Sequence, residues 1–208
     1  MTNFIAIIPL KVVVFPNENL NIHVKEPKYI QLIQECIADK KQFGILPEIE
    51  DNHQATGTLM EIVEVARVYA DNSLDIRIRG IRVFHVLEHI PAIPDKLFSG
   101  AIVAYPENND IKISPSLTNL IIEEVMRLFV LLNLGHKFPK DKTEWVSYDI
   151  AHTIGFSLQQ EYELLTILNE IQRMEYIRRQ LKSMDTVVEE LESLKARIML
   201  NGHFRTLT

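Results

Sequence analysis

The chain has 208 residues, with 22 Lys and Arg against 28 Asp and Glu, 47% hydrophobic residues and one cysteine. That length buries a sizeable core, as one domain or as one domain with a helical appendage, and the acidic excess disfavours a whole-molecule field that would draw in a phosphate backbone. The lone Cys36 excludes an internal disulfide framework, and no basic, apolar and small-residue series opens the chain, so no signal peptide is expected and a cytoplasmic setting is.

In chain order, Phe4 to Phe15 reads as a strand, mostly apolar and so buried on both faces, and Leu20 to Val24 as a second strand across a polar turn at Pro16 to Asn19. Pro27 suits the first turn of a helix, in which Ile30, Ile33, Cys36 and Ile37 keep helical spacing. No cation near Cys36 in that pattern lowers its pKa, which predicts a small buried hydrophobe rather than a reactive thiol. Phe43 to Leu46 is a short strand, residues 47–56 a polar loop, and Leu59 to Val68 a long strand ending at the hairpin turn Ala70 to Ser73. Asp75, Arg77 and Arg79 alternate with Leu74, Ile76 and Ile78, the pattern of a strand with one wet and one dry face, and Gly80 predicts a bulge or bend. Val83 to Ile90 and Leu97 to Tyr105 supply the remaining strands, with the Pro91 to Pro94 segment as connector. Short strands with hairpin signals and one helix predict a small closed or half-closed barrel over residues 1–112.

From Ser114 the pattern is helical, so that 113–208 forms a second, all-helical part. Ser116 is placed to cap a helix reaching Leu134, a weaker helix covers Glu144 to Ile154, and Ser157 caps a third with Gln160 in the capping-box position. Leu128 to Leu134 is apolar but too short to span a bilayer, which takes roughly 18 to 20 such residues, and is expected to be a buried helix. From about 169 to 200, Ile177, Leu181, Met184, Val188, Leu191, Leu194 and Ile198 keep near-heptad spacing, a seam that should face a second helix in this molecule or in another. A homodimer through that seam is the companion expectation.

Catalytic signatures fail on physical grounds. No glycine precedes a lysine, so there is no phosphate loop, and Gly155-Phe-Ser157 lacks the second glycine of a nucleophile elbow, with Gln159 in its place. His85-Val-Leu-Glu88-His89 matches a zinc-protease pattern that works on a helix; in a strand, at about 3.3 Å per residue, its histidines stand roughly 13 Å apart. Arg77, Arg79 and Arg82 form a basic cluster with Phe84 as the one aromatic platform beside it, which suits a solvated face paired with acids better than an RNA site. Lys137, Lys140 and Lys142 read the same way, and Trp145 and Tyr148 as helix-packing residues. No catalytic residue, metal ligand or cofactor site is expected, and nucleic acid and membrane are disfavoured as partners.

The stretch from Ile8 to Tyr29 resembles the opening of the N-terminal domain of Lon proteases through Pro9, Leu10, Val14, Phe15, Pro16, Glu26, Pro27 and Tyr29, and the likeness continues through Gly57 and Gly80 to the long helix. Lys11, Asn17 and Asn21 depart from the family's usual arginine, glycine and proline, and Val83 and His85 stand where basic residues are common. The resemblance implies an α+β fold, a β-rich PUA-like pseudo-barrel followed by a helical bundle with a long C-terminal helix. It further implies a non-catalytic module that recognises polypeptide clients or a partner protein; the family's ATPase and Ser-Lys peptidase modules are not in this sequence. The family-motif residues Pro9, Leu10, Phe15, Pro16, Glu26, Pro27, Tyr29 and Gly80 are expected to be scaffold, with Glu26 placed to reach an arginine of the Gly80 bend. Arg77, Arg79, Arg82, Ile177, Leu181, Met184 and Leu191 are the interaction candidates, and an RNA- or nucleotide-binding module is the alternative.

Overall fold

The computed structural model describes residues 2–50, 52–109, 115–131 and 145–201, with the backbone alone for 115–117, 128–129, 131, 184–189, 191–192 and 194–201. Strands β1 (Thr2–Leu10), β2 (Asn19–Val24), β3 (Phe43–Ile49), β4 (Asn52–His53), β5 (Thr56–Val68), β6 (Leu74–Ile90) and β7 (Gly100–Ala104) join in one sheet, and helix α1 (Pro27–Asp39) lies between β2 and β3 in sequence. Helices α2 (Pro115–Leu131), α3 (Ser147–Ile150), α4 (Leu158–Thr166) and α5 (Glu170–Asn201) follow. Two compact units result, Met1–Asn109 with Phe156–Leu168, and Asp110–Gly155 with Asn169–Thr208.

In the first unit the sheet closes on itself. β1 pairs antiparallel with β7 through Ile5 and Ala101, and parallel with β3 through Ile8 and Ile45. β3 pairs with β5, β5 with β6 and β6 with β7, which completes a ring of five strands. A parallel β1–β3 pair needs a long crossover, and α1 is carried on it. Neighbouring side chains serve opposite faces: Ile45 packs with Leu32, Ile33, Cys36, Phe43 and Met60, whereas Leu46 packs with Ile5, Ile7, Leu59 and Phe84. α4 belongs to this unit and touches β3 and β5. Its start is as expected, with Ser157 Oγ accepting from the Gln160 N–H and Gln160 Oε1 from the Ser157 N–H.

β6 changes partner along its length. Leu74–Arg79 lies beside β2, and from His85 onward its neighbour on that edge is β7. The change falls at a bulge: Leu59 faces Arg82 while Met60 faces Gly80, which leaves Ile81 as the extra residue. Here the turn after Phe15 crosses the strand, with Asn17 N–H donating to Gly80 O and Gly80 N–H to Glu18 O. A Cβ on Gly80 would lie 2.3 Å from Phe15 O, so the crossing requires glycine.

Three expected elements are shorter than their composition suggested. The first strand stops at Leu10 rather than Phe15; Val13, Val14 and Phe15 are fully buried but off the ladder, their backbone engaged by the Thr58 hydroxyl at Val14 O and the Glu18 carboxylate at Phe15 N–H. Nor is the strand buried on both faces, since Phe4 is 54% exposed. The last strand spans Gly100–Ala104 rather than 97–105. The helix expected over 144–154 is one turn, Ser147–Ile150, running into a 3-10 turn at Ala151–Thr153, where the Thr153 hydroxyl binds Ile150 O and Gly155 then takes φ 76°. The expected continuation of α2 to Leu134 lies outside the described residues, and Val130, in the run expected to be buried, is 63% exposed.

In the second unit α5 packs against α2 and α3, with Ile121, Val125, Trp145, Ile150, Met174 and Ile177 buried. No described helix is long and apolar enough to cross a membrane.

Candidate functional site

A cavity of about 490 Å³ opens beside α1 in the first unit. Helical spacing puts Leu32, Glu35, Cys36 and Asp39 on the face of α1 that lines it, β1 contributes Phe4 and Ala6, and the segment between β6 and β7 contributes Ile93, Lys96 and Phe98. The wall is apolar and the rim is charged in matched pairs. Lys96 Nζ stands 2.7 Å from Glu35, and Lys41 Nζ stands 2.7 Å from Asp39, whose hydrogen bond holds the carboxyl below its ordinary pKa and the ammonium above its own.

Gln31 fastens the 93–98 segment to α1 by accepting the Leu97 N–H at 2.8 Å and donating to Asp95 O at 3.4 Å, with Asp95 at φ 61°. Two large apolar side chains stay in water nearby, Phe4 on the cavity lip and Leu97, 66% exposed, next to the lining residue Phe98. Cys36 lines the cavity as the buried hydrophobe its spacing suggested, and burial pushes its thiol up to about 11. An apolar hollow of this kind takes up apolar side chains, while the rim charges and exposed polar groups can meet a polypeptide backbone.

The expected scaffold residues are dispersed along the first unit. Phe15, Pro16 and Gly80 are buried at the β6 crossing, Pro9 and Leu10 are half-buried at the end of β1, and Tyr29 packs against the core. Pro27 and Glu26 flank the start of α1 and are exposed. Glu26 does not reach an arginine; its carboxylate pairs with Lys28 at 3.0 Å, and Asn17 and Glu18 make the link to Gly80 instead.

The arginines are not one cluster. Arg77 pairs with Glu64 at 3.1 Å and reaches Asn21 Oδ1, Arg79 pairs with Glu61, and Arg82, beyond the bulge, lies over the Tyr105 ring at 5.3 Å. Ile177 and Leu181 are buried within their own unit, so at these positions the α5 seam is covered by this molecule. The side chains of Met184 and Leu191, and Lys137, Lys140 and Lys142, lie outside the described residues. His85 and His89 lie on strand β6, and the Ser157 hydroxyl is occupied as a helix cap.

Two groupings had no expectation in the sequence. Asp75 accepts from Tyr69 Oη at 2.6 Å and meets His23 Nδ1 at 2.5 Å, and these bonds, Tyr69 first, hold its carboxyl below the usual range. In the second unit the fully buried Arg173 donates to Glu170 and to Ser147 Oγ, and Glu170 accepts the Ser147 N–H and hydroxyl at 2.8 and 2.6 Å. The i,i+3 spacing of Glu170 and Arg173 was the one available signal, and it is common on exposed helices.

A family model for the substrate-binding domain of ATP-dependent protease La (LON) matches residues 5–183. Among solved structures, the chain is similar to a Lon N-terminal domain protein from Xanthomonas campestris, with a TM-score of 0.68 and 24% identity over 85% of this chain and 98% of that one. It is also similar to the N-terminal domain of Mycobacterium avium complex Lon protease, with a TM-score of 0.61 and 14% identity over 86% of this chain and 98% of that one. At these identities the structures show a common fold. No curated protein matches the sequence.

Proposed function

The chain belongs to the family of ATP-dependent protease La (LON) substrate-binding domains, and from that premise we propose that it is a non-catalytic recognition module whose α1 cavity takes apolar side chains of polypeptide clients or of a partner protein. The carrying observation is the apolar cavity of about 490 Å³ with Phe4 held 54% exposed at its lip. In this proposal the PUA-like pseudo-barrel expected over 1–112 does the recognising; of the helices expected to form a separate bundle over 113–208, α4 belongs with the strands of the first unit, and the others, ending in the long helix of about 169–200, make up the bundle. A cytoplasmic setting, no membrane partner and no cofactor belong to the same proposal.

Titration of a fluorescently labelled, unfolded apolar polypeptide is expected to give saturable anisotropy. Phe4→Asp, at an exposed position, is expected to weaken it about tenfold or more, since burying a Phe contributes about 1.5–3 kcal/mol. No anisotropy change at high micromolar protein overturns the proposal. Dimerisation through the α5 seam is proposed for the part beyond Leu181 alone, given the burial of Ile177 and Leu181; light scattering that finds a monomer at millimolar concentration contradicts it. An RNA- or nucleotide-binding role has less support, because Glu64 and Glu61 offset the charge of Arg77 and Arg79. It would require salt-sensitive binding lost on changing Arg77, Arg79 and Arg82 to glutamate.

A further inference from the structure

We propose that His53 and His89 together form a site for a divalent transition-metal ion of the kind imidazole prefers, Cu2+ or Zn2+. The proposal is independent of client binding. His89 belongs to the His-x-x-Glu-His pattern, but on strand β6 it cannot share an ion with His85. Its imidazole instead faces that of His53 on β4, with ring centroids 6.1 Å apart and planes 33° from parallel.

With metal–nitrogen bonds of about 2.0–2.1 Å, two imidazoles on one ion place their centroids roughly 5 to 6.5 Å apart, a span that includes the observed 6.1 Å. Both histidines are exposed, so a hydrated ion can reach them. Glu48 Oε2 lies 4.0 Å from His53 Nδ1, on the register partner of His53 in β3. At that distance there is no hydrogen bond; a closing movement of about 1 Å would let the carboxylate orient the ligating imidazole and leave its other nitrogen for the metal.

Among the described residues no set of three His, Cys, Asp or Glu side chains gathers around an ion. Water therefore completes the coordination, and the site is open and modest in affinity. A pair of imidazoles selects Cu2+ over Zn2+, and both over Mg2+ or Ca2+, which prefer oxygen. A bound ion would fasten the two-residue strand β4 to the C-terminal half of β6.

The test is calorimetric titration of the whole chain, stripped with a chelator, using Cu2+ and Zn2+ separately and Mg2+ as control. One equivalent of each transition ion is expected to bind, with Mg2+ giving no heat of binding. His53→Ala and His89→Ala, both at exposed positions, are each expected to weaken binding at least about tenfold, and His85→Ala to leave it unchanged. Absence of saturable Cu2+ and Zn2+ binding up to about 1 mM, or binding that either His53→Ala or His89→Ala leaves intact, overturns the site.

Discussion

At Asn17 the backbone takes φ 67°, the left-handed region that asparagine tolerates better than other side chains. Glycine adopts the same region without a steric cost, and the turn presents Asn17 and Glu18 to Gly80. Asn17→Gly should be accepted, whereas Asn17→Val should cost about 1–2 kcal/mol in urea unfolding. Gly80→Ala should cost about 3 kcal/mol, the upper part of the range for overpacked cores, because its Cβ meets backbone rather than a movable side chain.

Asp75 gives a pH dependence with a definite sign. Its folded pKa lies below the unfolded one, so its contribution is present above the unfolded value, near about 3.9, and is lost as pH falls through the folded value. The stability difference between the wild type and Asp75→Asn should therefore shrink below about pH 4, read from urea midpoints across pH. For Cys36, a thiol pushed up to about 11 should resist alkylation at pH 8 in the native chain and react once the chain is unfolded.

Among the elements, the joint between α3 and α5 rests on Ser147, Glu170 and Arg173, all buried. Arg173→Met leaves the Glu170 carboxylate buried without its cation and should cost about 3–5 kcal/mol by thermal or urea unfolding. Elements were legible where local chemistry is distinctive. Pro27 marked the start of α1 and the apolar spacing after it marked its inner face, and Ser157 with Gln160 marked α4. The run from Val12 to Phe15 misled because β-branched and aromatic residues signal burial as strongly as pairing, and here the burial comes without a ladder. The helix expected over 144–154 lacked a sequence sign that Thr153 would turn its hydroxyl back onto Ile150.

For the molecule as a whole, the opening motif and the order of strands pointed to the family, and the match over residues 5–183 bears that out. The cavity was not legible. It is assembled from β1, α1 and the 93–98 segment, which are distant in sequence, and its character depends on Phe4 remaining in water, where composition placed it inside. Gln31 and Glu35 were equally silent, being ordinary helix-surface residues until Leu97, Asp95 and Lys96 are brought against them.

Occupancy of that cavity is the central claim, and amide hydrogen exchange with and without a saturating unfolded client tests it most directly. Slower exchange is expected across Pro27–Asp39 and at residues 93–98, including the Leu97 amide that Gln31 accepts, with Thr2–Leu10 also affected. A client that binds while leaving these amides unchanged, or that protects the Arg77 and Arg79 face instead, would contradict it.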